Sequence, residues 1–133
     1  MADRFVNLVD TDILIAHLRG VAAAHAWLRH ARQVGPLTAS ALSVTELTGG
    51  MRSEERHQVW RLIASLRVEP VTELVARRAG ELMRQYRRSH TGIGLADYVI
   101  AATADVHGFT LATLNTRHFP MFTDLQPPFR LSA

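Results

Sequence analysis

The chain has 133 residues, 47% of them hydrophobic and 20% charged, with a net charge of +3 and no cysteine. That is enough for one domain with a proper core, read here as spanning residues 1–133, and it excludes disulfides, thiol catalysis and cysteine-bound zinc. All fifteen basic residues are arginine, so Schiff-base, Walker A lysine and Ser-Lys chemistry are excluded too, while the modest basic excess permits a nucleic-acid partner.

In chain order, the apolar run Phe5-Val6-Asn7-Leu8-Val9 reads as a buried strand and ends in Asp10-Thr11-Asp12. A helical stretch over Ile13–Leu18 is followed by Gly20, and an Ala-rich helix over 21–33 puts Ala24, Trp27, Leu28 and Ala31 on one face. Gly35-Pro36 is a turn, and Leu37-Thr38-Ala39 a short strand. A helix from Ser43 to about Met51 closes at Gly49-Gly50, and Ser53 caps the next, where Val59, Leu62, Ile63 and Leu66 repeat with helical period. Arg67–Val71, with Pro70, reads as an edge strand. Thr72 opens a long helix to about Arg88, Gly94–Val106 forms another, Gly108 ends it, and Phe109–Thr113 is a strand. Pro127–Leu131 reads as a last edge strand. Strands alternating with helices predict an α/β fold, a three-layer sandwich around a mainly parallel sheet of four to five strands. No apolar run approaches the ~18–20 residues of a membrane span, and the lack of cysteine fits a reducing cytoplasm.

Three places hold acids in an apolar or small-residue setting: Asp10 with Asp12, then Glu46, then Asp97. Acids just beyond a strand's carboxyl end sit where open α/β sheets bind ligands. Buried acids brought together repel unless protons or cations intervene, and oxygen donors without thiols point to Mg²⁺ or Mn²⁺. Such an ion orients water and stabilises charge on a phosphate. Each acid could also play an ordinary structural part. Ser43-x-x-Glu46 is a capping-box pattern, Asp12 suits the N-cap of its helix, and Asp97 in a first turn is favoured by the macrodipole. Asp10, apolar on both flanks, is the hardest to assign such a part.

Leu8–Ile15, Leu42–Leu47, Leu95–Ala104 and Leu111–Phe119, in that order, resemble the PIN-domain ribonucleases, and among them the VapC toxins of bacterial toxin–antitoxin pairs. The resemblance implies that Asp10, Glu46 and Asp97 are Mg²⁺ ligands and catalytic groups. It also implies water-mediated hydrolysis of RNA phosphodiester bonds leaving a 3′-hydroxyl, a homodimer, and neutralisation by a VapB-like antitoxin that covers the site. A fourth acid usual near the last motif is missing; Asn115 and His118 stand there, and Asp12 adds a charge where the family often has Asn or Ser. Asn115 can still ligate through its amide oxygen. Arg117 is the nearest candidate for a substrate phosphate contact, and His118 a candidate contact to substrate or water. The basic run Arg77, Arg78, Arg84, Arg87 and Arg88 reads as a solvated helix face or a second phosphate contact. Leu14, Leu18, Trp27 and Leu28 suit either an antitoxin groove or plain core. Thr11, Ser43 and Thr113 read as polar wall or caps.

Asp10-Thr11-Asp12 also resembles the motif of haloacid-dehalogenase phosphatases and the acidic pocket of response-regulator receivers. Both depend on a late basic residue, usually lysine, and Leu14 stands where the phosphatase motif favours Thr or Val. A non-catalytic RNA-binding or interaction module on the same fold is the alternative from a different class.

Overall fold

The computed structural model describes residues 6–131, so Phe5, the expected start of the first strand, lies outside the described residues. Strand β1 (Asn7–Val9) leads to helices α1 (Thr11–Leu18) and α2 (Ala22–Val34); β2 (Leu37–Ser40) leads to α3 (Ala41–Gly50) and α4 (Arg56–Ala64). Strand β3 (Arg67–Glu69) leads to α5 (Glu73–Tyr86) and α6 (Leu95–His107), and β4 (Thr110–Ala112) comes last. The four strands pair in parallel in the order β3-β2-β1-β4.

The period-two alternation of the strands divides the core. Leu8 and Leu111 face α5 and α6, joining Val75, Leu82, Tyr98 and Phe119. Val9, Leu37, Ala39 and Ala112 face the first four helices, joining Ile13, Leu14, Leu28 and Val59. One sheet face thus covers each helix layer, which is the expected three-layer sandwich. Leu14 and Leu28 are core residues and cannot serve a surface groove. Leu18 and Trp27 are half-buried at its edge.

Several local expectations change. No strand forms over 127–131, because Pro127 and Pro128 cannot donate to a ladder; Phe129 instead packs on the core as irregular chain. Helix α3 starts at Ala41, capped by Ser40, whose Oγ accepts from Leu42 N at 3.1 Å; Ser43 therefore lies inside the helix and Glu46 in its second turn, not in a capping box. Asp10, not Asp12, is the N-cap of α1. Ser53 opens a short 3₁₀ turn before α4, where Glu55 Oε1 accepts from Arg52 N at 2.8 Å. Thr72 caps α5 as expected, and the helix stops at Tyr86, short of Arg88.

Gly108 closes α6 with φ +70°, the left-handed conformation that favours glycine. Nothing lies within 4 Å of where a Cβ would sit. Gly108→Ala is therefore expected to destabilise through backbone strain alone, by about 1–2 kcal/mol, read as a lower denaturation midpoint at an unchanged slope.

Candidate active site

The order β3-β2-β1-β4 makes the chain step one way from β1 to β2 to β3, then cross to the opposite side of β1 for β4. A switch point therefore lies between β1 and β4, and the carboxyl ends of those two strands are where a ligand crevice forms. Asp10 follows β1 directly, and its N–H donates to Ala112 O at 2.9 Å, holding it beside the end of β4. The loop Thr113-Leu114-Asn115 follows β4.

Thr113 joins the two strand ends. Its hydroxyl donates to Asp10 Oδ2 at 2.7 Å, lies 3.3 Å from Asp12 Oδ2, and accepts from Asn115 N at 3.1 Å. Asp10 Oδ1 accepts from Thr11 N at 2.8 Å, and Asp12 Oδ2 from Leu114 N at 3.0 Å. Thr11 Oγ1 donates to Glu46 Oε1 at 2.6 Å and lies 2.8 Å from Ser43 Oγ; with a single proton spent on the carboxylate, it is left to accept from the serine. Thr11, Ser43 and Thr113 are all buried. They are a polar wall, as expected, but a wall that orients three of the acids.

Asp97 lies in the first turn of α6 and accepts from Gly94 N at 3.1 Å. His118 Nδ1 lies 3.0 Å from Asp97 Oδ2 and 3.0 Å from Asn115 Nδ2. One ring nitrogen cannot both donate to the carboxylate and accept from the amide, so the two contacts correspond to alternative protonation states of His118 or to a turned amide. Through His118, the place of the absent fourth acid thus reaches Asp97. Arg117 lies exposed in the 3₁₀ turn between Asn115 and His118.

The acids differ in setting. Asp10 is 7% exposed. Burial first, then the charge of Asp12, pushes its carboxyl up to about 7; Asp97 adds to the push, while Thr113 and Thr11 hold it back. Burial also raises Asp12, against the hydrogen bond from Leu114 N, and its Oδ1 is buried without a partner. Glu46 is exposed. The structure therefore gathers Asp10, Asp12, Asp97, Asn115 and His118 around one loop, with Glu46 tied in through Thr11. Among the described residues, no three acids or imidazoles close on a single point tightly enough to enclose an ion by themselves. The donor set is nonetheless what a hard divalent cation with retained waters uses: carboxylate and amide oxygens, a buried free carboxylate oxygen, and like charges held near one another.

Elsewhere two arginines of the basic run, both on α5, are committed to acids. Arg77 pairs with Glu73 at 2.7 Å, and Arg78 with Asp105 at 2.6 Å and Glu81 at 3.9 Å. That favours the solvated-face reading.

Fold and site together define an α/β domain with an acid-centred, oxygen-donor cleft at the switch point of a parallel sheet. Residues 8–122 match the PIN domain model, and the chain belongs to the PIN-domain family. It is 66% identical over 122 residues to Ribonuclease VapC10 of Mycobacterium tuberculosis, covering 92% of each chain. It is 45% identical over 125 residues to Ribonuclease VapC19 of the same organism, covering 93% of this chain and all of that one. Among solved structures it resembles a toxin–antitoxin complex from Klebsiella pneumoniae (25% identity, TM-score 0.74, 94% and 99% of the two chains). It also resembles FitAcB from Neisseria gonorrhoeae (30% identity, TM-score 0.67, 85% and 90%).

Proposed function

We propose that this protein is a Mg²⁺- or Mn²⁺-dependent endoribonuclease, the toxin of a VapBC-type module, acting on RNA in the cytoplasm and neutralised by a VapB-like antitoxin. The observation that carries the reading is the meeting of Asp10 and Asp12 at Thr113 and Leu114, with Asp97 joined to the same loop through His118, in a chain two-thirds identical to a named VapC ribonuclease. Asp10 and Asp97 would hold the ion, with Glu46, and with Asp12 and Asn115 at the side of the missing acid. Bound there, the ion supplies Lewis acidity toward the phosphate and a more acidic water. The protein's own groups do the rest. Thr113 and Thr11 fix the carboxylates, His118 contacts Asp97 beside the loop, and the exposed Arg117 would meet a substrate phosphate. The hydroxyls of Thr11 and Thr113 are spent on carboxylates, and among the described residues neither has a hydrogen bond to an imidazole, which supports water as the nucleophile.

Both oxygens of Asp10 accept hydrogen bonds, which makes it a poor nucleophile and counts against the phosphoaspartate reading. For a partner, a cleft of about 470 Å³ opens beside Glu46. Ile15, Leu18, Leu47, Met51 and Val59 supply its apolar wall, and Arg19, Arg52 and Glu55 its charged rim. That suits an amphipathic antitoxin segment reaching toward the acids.

The test is an RNA cleavage assay with Mg²⁺ or Mn²⁺, with and without EDTA, beside Asp97→Asn. Cleavage is expected only with metal and wild-type protein, and addition of the ion is expected to raise the melting temperature of the wild type but not of Asp97→Asn. Metal-independent cleavage, or full activity in the variant, would overturn the reading. RNA binding without any cleavage would instead favour the non-catalytic module.

A further inference from the structure

A second cavity, of about 420 Å³, opens at the far end of α1, between α1, α2 and α4. Its polar lining is His17, Arg32, Gln58, Arg61 and Ser65, and no carboxylate lines it. Arg32 is set in place: its Nη2 donates to Ser65 Oγ at 2.6 Å, and Ser65 donates in turn to Leu62 O at 2.6 Å. Arg61 has only a 3.3 Å contact to His57 Nε2. Among the described residues, neither arginine has an acidic partner, unlike Arg77 and Arg78 on α5. Burial first, then the charges of His25 and Arg32, push the His17 imidazole down. His17, which lines the cavity, stacks on His25 with ring centroids 5.3 Å apart.

We propose that this pocket is a subsite for a backbone phosphate of the RNA strand whose scissile bond lies at the Asp10–Asp97 site. The inference rests on the ribonuclease reading above. Arg61, without an acidic partner, and Arg32, pre-oriented by Ser65 with its other N–H groups left over, match the geometry of phosphate oxygens, and Gln58 adds a neutral hydrogen-bonding group for the sugar-phosphate. The position favours the substrate over an acidic protein segment. Without a bound ion the carboxylates repel a polyanion, so the hold on the strand that remains in the absence of metal has to come from cationic groups outside the acid centre. Helix α1 carries the link: Thr11 at its start holds Glu46, and His17 and Leu18 at its end line the pocket, about 10 Å away along the axis. Leu18 is also shared with the cleft beside Glu46, so the two hollows adjoin.

The experiment is binding of a fluorescently labelled single-stranded RNA, followed by anisotropy in EDTA so that nothing is cleaved. Full-length wild type is compared with Arg61→Gln, Arg32→Gln and the double variant across about 50 to about 200 mM salt. The double variant is expected to bind about tenfold more weakly, and the slope of log K against log salt to become shallower by about 0.7 for the lost phosphate. Arg61→Gln, which disturbs only an exposed contact, keeps the test clear of any folding defect. Unchanged affinity and slope in all variants would overturn the proposal. So would intact RNA binding accompanied by lost binding of polyglutamate, which would assign the pocket to an acidic protein segment. Asp97→Asn separates the two readings, since it is expected to abolish cleavage while leaving RNA binding and its salt slope in place. Should wild type bind RNA through Arg32 and Arg61 yet cleave nothing with either metal, the pocket stands and the ribonuclease reading falls. Should it cleave while both arginines prove irrelevant to binding, the reverse holds.

Discussion

Asp10→Asn is expected to make the metal-free protein more stable while abolishing RNA cleavage. The Asp10 carboxyl is raised to about 7 chiefly by burial and by Asp12. Because the folded-state value is raised, the native protein holds a proton that the unfolded chain releases near about pH 4. The stabilisation from that proton is complete below the unfolded value and is lost as pH rises through about 7, for a cost of roughly 4 kcal/mol at most by about pH 8. Asp12, raised in the same direction, adds to the trend. Denaturant titrations in EDTA should therefore show wild type losing stability from about pH 4 to about pH 7, and the asparagine variant losing less. Asparagine fits the same hydrogen bonds: its oxygen accepts from Thr11 N, and the Thr113 hydroxyl turns to accept from its amide and donate to Asp12. Added Mg²⁺ should restore the wild type at high pH and leave the variant unmoved, while cleavage by the variant falls at least about a hundredfold. A variant less stable than wild type at about pH 8 without metal would show that the Asp10 charge is not a strain on the fold.

The second large effect is expected at Thr113, a residue that touches the acids without being one. Thr113→Val keeps the shape but leaves Asp10 Oδ2 without its donor and Asn115 N without its acceptor, both beside a buried charge. Unpairing buried groups costs about 1–3 kcal/mol each, more where one is charged. The loop carrying Asn115 and His118 also loses its anchor to β1, so cleavage should fall more than about tenfold, with the loss of stability measured in parallel. Thr113→Ser retains the hydroxyl and should recover most of both. Equal activity in the valine and serine variants would mean that the hydroxyl does not position the acids.

Asp10 could be read from the chain because a charge set directly after an apolar strand run is costly to bury unless it serves a site. The fold could be read because strands and helices alternate with clean periods. What could not be read was which of several similar local signals wins. Ser40 and Ser43 both suit a cap, and β2 running on through Ser40 decides for the earlier one. Asp10 and Asp12 both suit the N-cap of α1, and the helix begins at once after the strand, so Asp10 takes it and Asp12 is freed to bind the β4 loop. The apolar residues of 127–131 looked like a strand, yet two prolines leave that segment packing its side chains without pairing its backbone. The contact of His118 with Asp97 and the bridging by Thr113 join residues on different elements. No local pattern reports such meetings; only the sheet order does.

The Thr113–Asp10 hydrogen bond spans 103 residues, nearly the whole chain. It forms only when the last strand docks beside the first, the most distant pairing in the sheet and the one with the largest loop to close. On a ribosome that extends the chain from its N-terminus, Asp10, Asp12 and Glu46 emerge early, but their anchor on the other side of the cleft emerges nearly last. An acid-based nuclease built this way has no working centre while it is still a partial chain. The RNA nearest to it during synthesis, its own message and the ribosome, meets the assembled site only after Thr113 has emerged and β4 has docked.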